Sequence, residues 1–530
     1  MRPVRAPALN SIRSANDVTA GSAAVAPASS LAWARARIEA LVAVPAYPLL
    51  FALTVLLLKM EQSWSPLPVL IRPLVVVLLV TATIQVAVGL VVGRAIAAYF
   101  VSLLLLILVE PFAALLVLLI VVVPMAWRSA KARHIATTDW SALKLPMNVM
   151  AAVALAATVI GGLTNGWLFL VPATGSEAST VAAPADAPDI YLILLDGYPR
   201  TDALLHDVGM DNSAFLDDMS ELGFDVARAS RSNYTRTALT LASMFNGRAI
   251  DELLPDPPRD QAGQARALAK LINEATTLDV ARSRGYEIVS LPSAVSWLSL
   301  YAADRVLQPP SMTEFELTLT EQGFIGRVAP QARREFFLQQ HRERTLWTFD
   351  TLSQLPTAPS TRPRLVFAHV LMPHAPIAFG PAGEPVMVDG CIWTLCTVPY
   401  PIPDEFRTAY AGQVQYLDSL VELTAERIID RSSRPPIVVF FSDHGSRLSG
   451  SFDSMFDNLL LSHTPGRSGV LPDGTTPVTM LPRLMNAYLG THETLADDGS
   501  YWQQVGSFFP VAGPVLPVAG PVFQIGGPVQ

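Results

Sequence analysis

The chain has 530 residues, a mean hydropathy of +0.37 and only 15% charged residues, too apolar for a single soluble domain. The apolarity is concentrated before about residue 171, which leaves room for a small membrane bundle and one sizeable α/β domain. A net charge of −8, with no basic stripe interleaved with aromatics, argues against a nucleic-acid partner.

In chain order, residues 1–35 are rich in Ala, Ser and Arg and read as a disordered cytoplasmic tail. A cleavable signal peptide is not expected, because the first long apolar run begins near Leu41 and more of the same follows. Runs at about 40–58, 68–92 and 146–171 approach or exceed the ~20 residues a helix needs to cross the hydrocarbon layer. The stretch 95–127 reads either as one very long span or as two short ones turning at Glu110-Pro111. Arg2, Arg5, Arg13, Arg35 and Arg37 precede the first span, and Arg128, Lys131 and Arg133 precede the last. Positive residues favour the cytoplasmic side, so keeping both clusters inside requires four spans between them and a fifth leading out. The region 36–171 is therefore expected to hold about five spans, a multi-pass inner-membrane segment with everything later outside the cytoplasm. A Pro/Ala/Ser/Gly-rich linker is expected over 172–187.

The segment 188–490 reads as the catalytic domain, a mixed, mostly parallel sheet sandwiched by helices. Its first strand, Ile190 to Leu195, ends in Asp196-Gly197, and ligand sites of open α/β sheets lie at that strand edge. A strand-terminal Asp alone is more often a cap than a metal ligand. A polar loop from Ser232 then runs into an apolar helix stopped by Gly247, with Thr237 in the first turn, where unpaired amides favour a phosphate. Ser and Thr at such places usually serve as caps. The segment from about 250 to 360 carries few site-like residues and reads as helical packing with a substrate-side insertion.

A further strand from Leu365 contains His369 and leads to His374, between Pro373 and Pro376. His374 suits proton transfer or phosphate binding near neutral pH, whereas His369 reads as a packed or surface residue. Cys391 and Cys396 read as a disulfide closing a small loop in an oxidising compartment. Tyr410 to Leu420 has apolar groups at helical spacing and reads as core. The strand from Ile437 closes in Asp443-His444-Gly445, adjacent ligands that a turn can aim at one divalent ion. Three strands delivering metal- or proton-handling groups at the same end carry the functional reading. The Pro/Gly-rich stretch 491–530 is expected to be an irregular tail.

These motifs resemble the alkaline-phosphatase/sulfatase superfamily, and within it the membrane-anchored lipoteichoic acid synthases and phosphoethanolamine transferases. The resemblance covers about residues 188–465 in scattered motifs. It implies a divalent metal, zinc or manganese with calcium or magnesium left open, held by Asp196, Thr237, Asp443 and His444. Thr237 would be the nucleophile and His374 its catalytic partner, with Arg236, Arg447 and His463 binding substrate. Asn246-Gly247-Arg248 is similar to the end of the sulfatase signature and places Thr237 at its modified position, as does alignment of Thr235-Arg236-Thr237 with the transferase motif. No Cys or Ser stands there, and Leu239 and Leu241 replace the signature's proline and arginine, which excludes formylglycine chemistry. The implied activity is a phosphoester transferase working on a phosphorylated lipid or glycan among membrane lipids. The open alternatives are a phosphate or sulfate ester hydrolase, or a degenerate envelope scaffold or sensor.

Overall fold

The computed structural model describes residues 44–63, 65–92, 97–98, 101–102, 144–166, 168, 184, 187–258, 261–322, 330–389, 391–392, 395–396, 402–448, 453–502 and 516–517. The N-terminal tail, most of 95–127 and of the 172–187 linker, and most of the Pro/Gly-rich tail lie outside them.

Among the described residues three apolar helices come first, α1 (Tyr47–Gln62), α2 (Ile71–Val92) and α3 (Lys144–Thr164). The stretch Leu67–Val91 and α3 are long and apolar enough to cross a membrane, whereas α1 has 16 residues. Val75, Leu79, Val86 and Leu90 on α2, and Val149, Val153 and Ile160 on α3, are exposed, an apolar surface that water would not tolerate. Asn148 on α3 binds the start of α1, its Oδ1 accepting from the Ala46 and Tyr47 amides and its Nδ2 donating to the Val44 carbonyl. Gln85, late in α2, donates to the Pro45 carbonyl nearby. α1 and α3 are therefore parallel, with α2 antiparallel between connections.

The opposite ends of these helices meet the second part of the chain. Leu56, Met60 and Leu70 pack with Tyr301 and Phe315. Arg72 pairs with the carboxylate of Glu316 and donates to the Pro310 and Ser311 carbonyls. Glu316 in turn accepts from the Thr313 amide at 2.8 Å, so one loop is tied both to α2 and to itself.

That part is built on seven strands, β1 (Ile190–Leu195), β2 (Asp225–Val226), β3 (Glu287–Leu291), β4 (Arg305–Val306), β5 (Arg364–Val370), β8 (Ile437–Phe441) and β9 (Leu460–His463), with a hairpin of β6 (Cys391–Ile392) and β7 (Leu395–Cys396) apart from them. The order is β2-β9-β8-β1-β5-β3-β4. β4, β3, β5, β1 and β8 run parallel, and β9 is antiparallel to β8. β1, β5 and β8 are buried on both faces, as continuous Val/Ile/Leu/Phe runs require. Alternation sends Ile190, Leu192 and Leu194 into one core and Tyr191, Ile193 and Leu195 into the other.

The first core packs helix α4 (Thr237–Met244); the second packs α5 (Pro330–Gln354) and α6 (Asp404–Arg431), which contains the stretch Tyr410 to Leu420 expected as core. Two expectations change. The segment 250–360 supplies β3 and β4 to the main sheet, because its short strands pair beyond β5 in a way local periodicity does not reveal. The domain also runs past residue 490: Asp498 accepts from Thr476 and pairs with Arg483, and the Tyr501 amide donates to the Asn233 carbonyl. Cys391 and Cys396 stand directly opposite in the hairpin backbone, while the side chains that would form the disulfide lie outside the described residues.

Candidate metal centre and active-site edge

All parallel strands point their C-terminal ends to one edge, and the predicted residues gather there. Asp196 follows β1 directly, and Asp443 and His444 follow β8 by two and three residues. β1 and β8 are hydrogen-bonded neighbours, so their ends are adjacent. Two glycines permit the approach. Gly197 adopts φ +70°, and a Cβ there would meet the His444 ring at 3.1 Å. At Gly445 a Cβ would lie 2.1 Å from the Ser454 carbonyl oxygen, so only glycine fits.

Asp196, Asp443 and His444 are buried, and one ligand atom from each lies within 4.8 Å of the others. The hydrogen bonding selects which atoms remain free. The Asp443 Oδ1 accepts the Gly197 amide at 3.0 Å, and the His444 Nδ1 donates to the Gly445 carbonyl at 2.9 Å. His369 holds the Asp196 Oδ2 from its Nε2 at 2.9 Å. What remains is Asp196 Oδ1, Asp443 Oδ2 and His444 Nε2, each buried and without a partner. The imidazole nitrogen is 3.5 Å from the Asp443 oxygen and 3.8 Å from the Asp196 oxygen. Ligands about 2.0–2.2 Å from a tetrahedral zinc ion stand roughly 3.3–3.6 Å apart. Two carboxylates facing each other in a dry site are unfavourable without a cation between them. The donor set, its spacing and the orphaned atoms therefore fit a divalent ion.

Electrostatics agree with that fit. Burial works against the Asp196 charge, yet the imidazoles of His374, His369 and His444 hold its carboxyl well below the usual range. Burial, helped by Arg447, lowers the His444 pKa despite Asp443 and Asp196, keeping the ring neutral as a ligand must be.

The helix α4 packs against this cluster, the Thr240 hydroxyl donating to the Asp443 carbonyl at 3.0 Å. Thr237 is its first residue, half-buried one turn earlier. The N-cap position belongs to Arg236, which makes no side-chain capping bond, so the capping explanation for Thr237 does not hold. Among the described residues nothing hydrogen-bonds the Thr237 hydroxyl. Arg447 donates to the Thr235 carbonyl, and burial, with Arg447 beside it, draws the Arg236 guanidinium down to about 10, so it stays charged. Two guanidiniums thus flank the helix start. His374, whose amide donates to the Asp196 carbonyl at 3.0 Å, sets its ring 6.4 Å from that of His444. Its Nδ1 donates to the Ala375 carbonyl, leaving Nε2 available.

One expectation is corrected. His463 ends β9, which is antiparallel to β8 and pairs it with Val438, so it sits at the opposite edge of the sheet and binds the Pro436 carbonyl. His369, expected to be packed or at the surface, is packed and also holds Asp196. Its strand register with Leu194 carries the signal, which needs the knowledge that β5 neighbours β1. His341 on α5 was also missed. It is buried with an unpartnered Nε2, and His374 is among the charges acting on it.

Comparison with known proteins completes the picture. The Sulfatase family model matches residues 188–478. No curated protein matches the sequence. Among solved structures, the phosphonate monoester hydrolase of Agrobacterium radiobacter is similar at 14% identity, covering 60% of this chain and 81% of that one, with a TM-score of 0.39. The C-terminal periplasmic domain of the phosphoethanolamine transferase EptC from Campylobacter jejuni is similar at 10% identity, covering 60% and 95%, with a TM-score of 0.38. The integral membrane lipooligosaccharide phosphoethanolamine transferase EptA from Neisseria meningitidis is similar at 11% identity, covering 74% and 69%, with a TM-score of 0.35. The family match spans more than half of the chain and encloses the whole buried cluster, and the chain belongs to the Sulfatase family of enzymes, within the alkaline-phosphatase/sulfatase superfamily.

Proposed function

We propose that this chain is a membrane-anchored, metal-dependent phosphoester transferase, acting outside the cytoplasm on a lipid head group or envelope glycan through Thr237. The observation that carries the reading is the convergence of three partnerless buried atoms, Asp196 Oδ1, Asp443 Oδ2 and His444 Nε2, beside a helix that opens on a free Thr hydroxyl. A bound divalent ion, zinc or manganese, would lower the pKa of that hydroxyl and offset charge on the phosphoryl group. Thr237 Oγ1, its proton released to solvent, forms the new bond to phosphorus as the bond to the leaving oxygen breaks. His374 Nε2, when protonated, supplies the proton that the departing alcohol needs. Arg236 and Arg447 hold the remaining phosphoryl oxygens, and the positive end of α4 adds to them. The phosphothreonine then passes its group to an acceptor hydroxyl, or to water in the hydrolase alternative.

The membrane side of the reading rests on the helices. The starts of α1 and α3 share one end and the C-terminal end of α2 lies with them, which supports an even number of crossings between α2 and α3, as the five-span arrangement requires. Mass spectrometry of Thr237 after incubation with envelope lipids tests the chemistry: the adduct's mass identifies the transferred group. Phosphodiester turnover unaffected by Thr237→Ala would overturn the mechanism, and metal binding without any turnover would favour a scaffold.

A further inference from the structure

On the sheet edge opposite the metal centre lies a cleft of about 760 Å³, lined by Arg284, Arg434 and Arg467 with Tyr286 and Tyr488. Tyr286 precedes β3, Pro188 precedes β1 and Arg434 precedes β8, so the cleft opens at the N-terminal ends of the central strands. A six-residue strand separates it from the catalytic edge by roughly 20 Å.

Each guanidinium is braced on the cleft's own wall. Arg434 donates to the Ala187 carbonyl at 2.7 Å, Arg284 reaches the Gly490 carbonyl at 3.4 Å, and Arg467 lies over the Tyr488 ring at 5.4 Å. Arg284 and Arg467 keep further N–H donors for a ligand. Among the described residues no carboxylate lines the cleft. Asp189, near Arg434, is hydrogen-bonded to the Arg364 amide at 2.8 Å and offsets only part of the charge. Three like charges around one concavity repel, and an incoming anion relieves that repulsion. Phosphate matches the guanidinium fork, and the half-buried Tyr488 puts on the wall an aromatic ring of the kind that sugars pack on, Tyr286 being enclosed in the core beneath. The volume falls within the ordinary range for ligand sites.

We propose that this cleft is a second binding site, distinct from the catalytic edge, for a phosphate-bearing sugar. The site does not depend on the catalytic reading, and its test is separable from it. The full chain in detergent, carrying Arg236→Gln and Arg447→Gln to silence the catalytic edge, is titrated calorimetrically with glucose 1-phosphate, with glucose as control. One equivalent is expected to bind, glucose should not, and adding Arg284→Gln with Arg467→Gln should weaken binding about tenfold or more. In the otherwise native chain that second pair should leave phosphodiester turnover and melting temperature unchanged, and Arg467→Glu alone should weaken binding as well. Competition by phosphatidylglycerol vesicles assigns the phosphate to a lipid head group; competition only by free sugar phosphate assigns it to a glycan. No binding before the second pair is introduced, equal binding after it, or equal binding of glucose overturns the proposal.

Discussion

Replacing His369 by Ala separates a residue that orients the candidate metal centre from those proposed to form it. The His369 Nε2 donates to Asp196 Oδ2 at 2.9 Å, with both side chains almost wholly buried, and this bond turns Oδ1 toward Asp443 and His444. A hydrogen bond to a charged group in such a site contributes about 1.5–3 kcal/mol. If it acts mainly on the metal-bound geometry, affinity for zinc should fall roughly 10- to 100-fold, the range typical of outer partners of metal ligands. His369 Nδ1 has no partner, so only this one bond is lost. The assay is competition against a fluorescent zinc chelator, paired with turnover as a function of free zinc. The turnover curve should shift to higher zinc by the same factor, with a plateau near wild type because His369 touches no reacting group. His369→Gln, which retains an N–H donor, should recover part of the loss. Unchanged zinc affinity would refute the reasoning, and so would a lost plateau that excess zinc fails to restore.

Burial, with Arg342, Arg344 and His374 nearby, draws His341 down to about 3. The folded protein then binds fewer protons than the unfolded chain between that value and the free histidine's ~6.5, so its contribution to stability is full above about 6.5 and lost as pH falls. Denaturant melts should lose on the order of 2 kcal/mol more in wild type than in His341→Gln between about pH 7 and 5, and parallel curves would count against it. Gly445→Ala forces a Cβ to within 2.1 Å of the Ser454 and 2.4 Å of the Asp457 carbonyl oxygens, both backbone. It should cost roughly 2–4 kcal/mol in thermal or denaturant unfolding, and a loss under about 1 kcal/mol would show that this turn gives way. Arg72→Ala leaves Glu316, only 9% exposed, without its cation at the junction of α2 and the sheet domain. Turnover of a lipid-borne phosphodiester in vesicles should drop about tenfold while that of a soluble chromogenic diester holds. An equal drop in both would mean that the pair serves folding alone.

The edge that gathers the candidate residues was legible where polar groups coincided with the ends of strands. Asp196 and Asp443-His444 close apolar runs, and a run that ends in polar ligands announces both its direction and its edge. Thr237 was legible because a polar loop followed by an apolar octet and Gly247 marks a helix start. His463 misled because a strand of four residues carries no sign of its direction, and β9 runs antiparallel. His369 lies inside its strand, and its role depends on which strand lies next to β5, information that is absent from local pattern. The role of Arg72 has no local signal, since its partner Glu316 is 244 residues away. The tail past 490 was read as irregular from its Pro and Gly content, and residues 491–500 do lack helix and strand, but Asp498 and Tyr501 tie them to the domain through side-chain and backbone bonds that composition does not encode.

Diffraction from crystals grown with zinc, collected at the zinc absorption edge, addresses the centre of the account. The anomalous peak should lie about 2.0–2.2 Å from Asp196 Oδ1, Asp443 Oδ2 and His444 Nε2, with Thr237 Oγ1 on its remaining side. A peak bound by other residues, or none at these three atoms in zinc-saturated active protein, would contradict it.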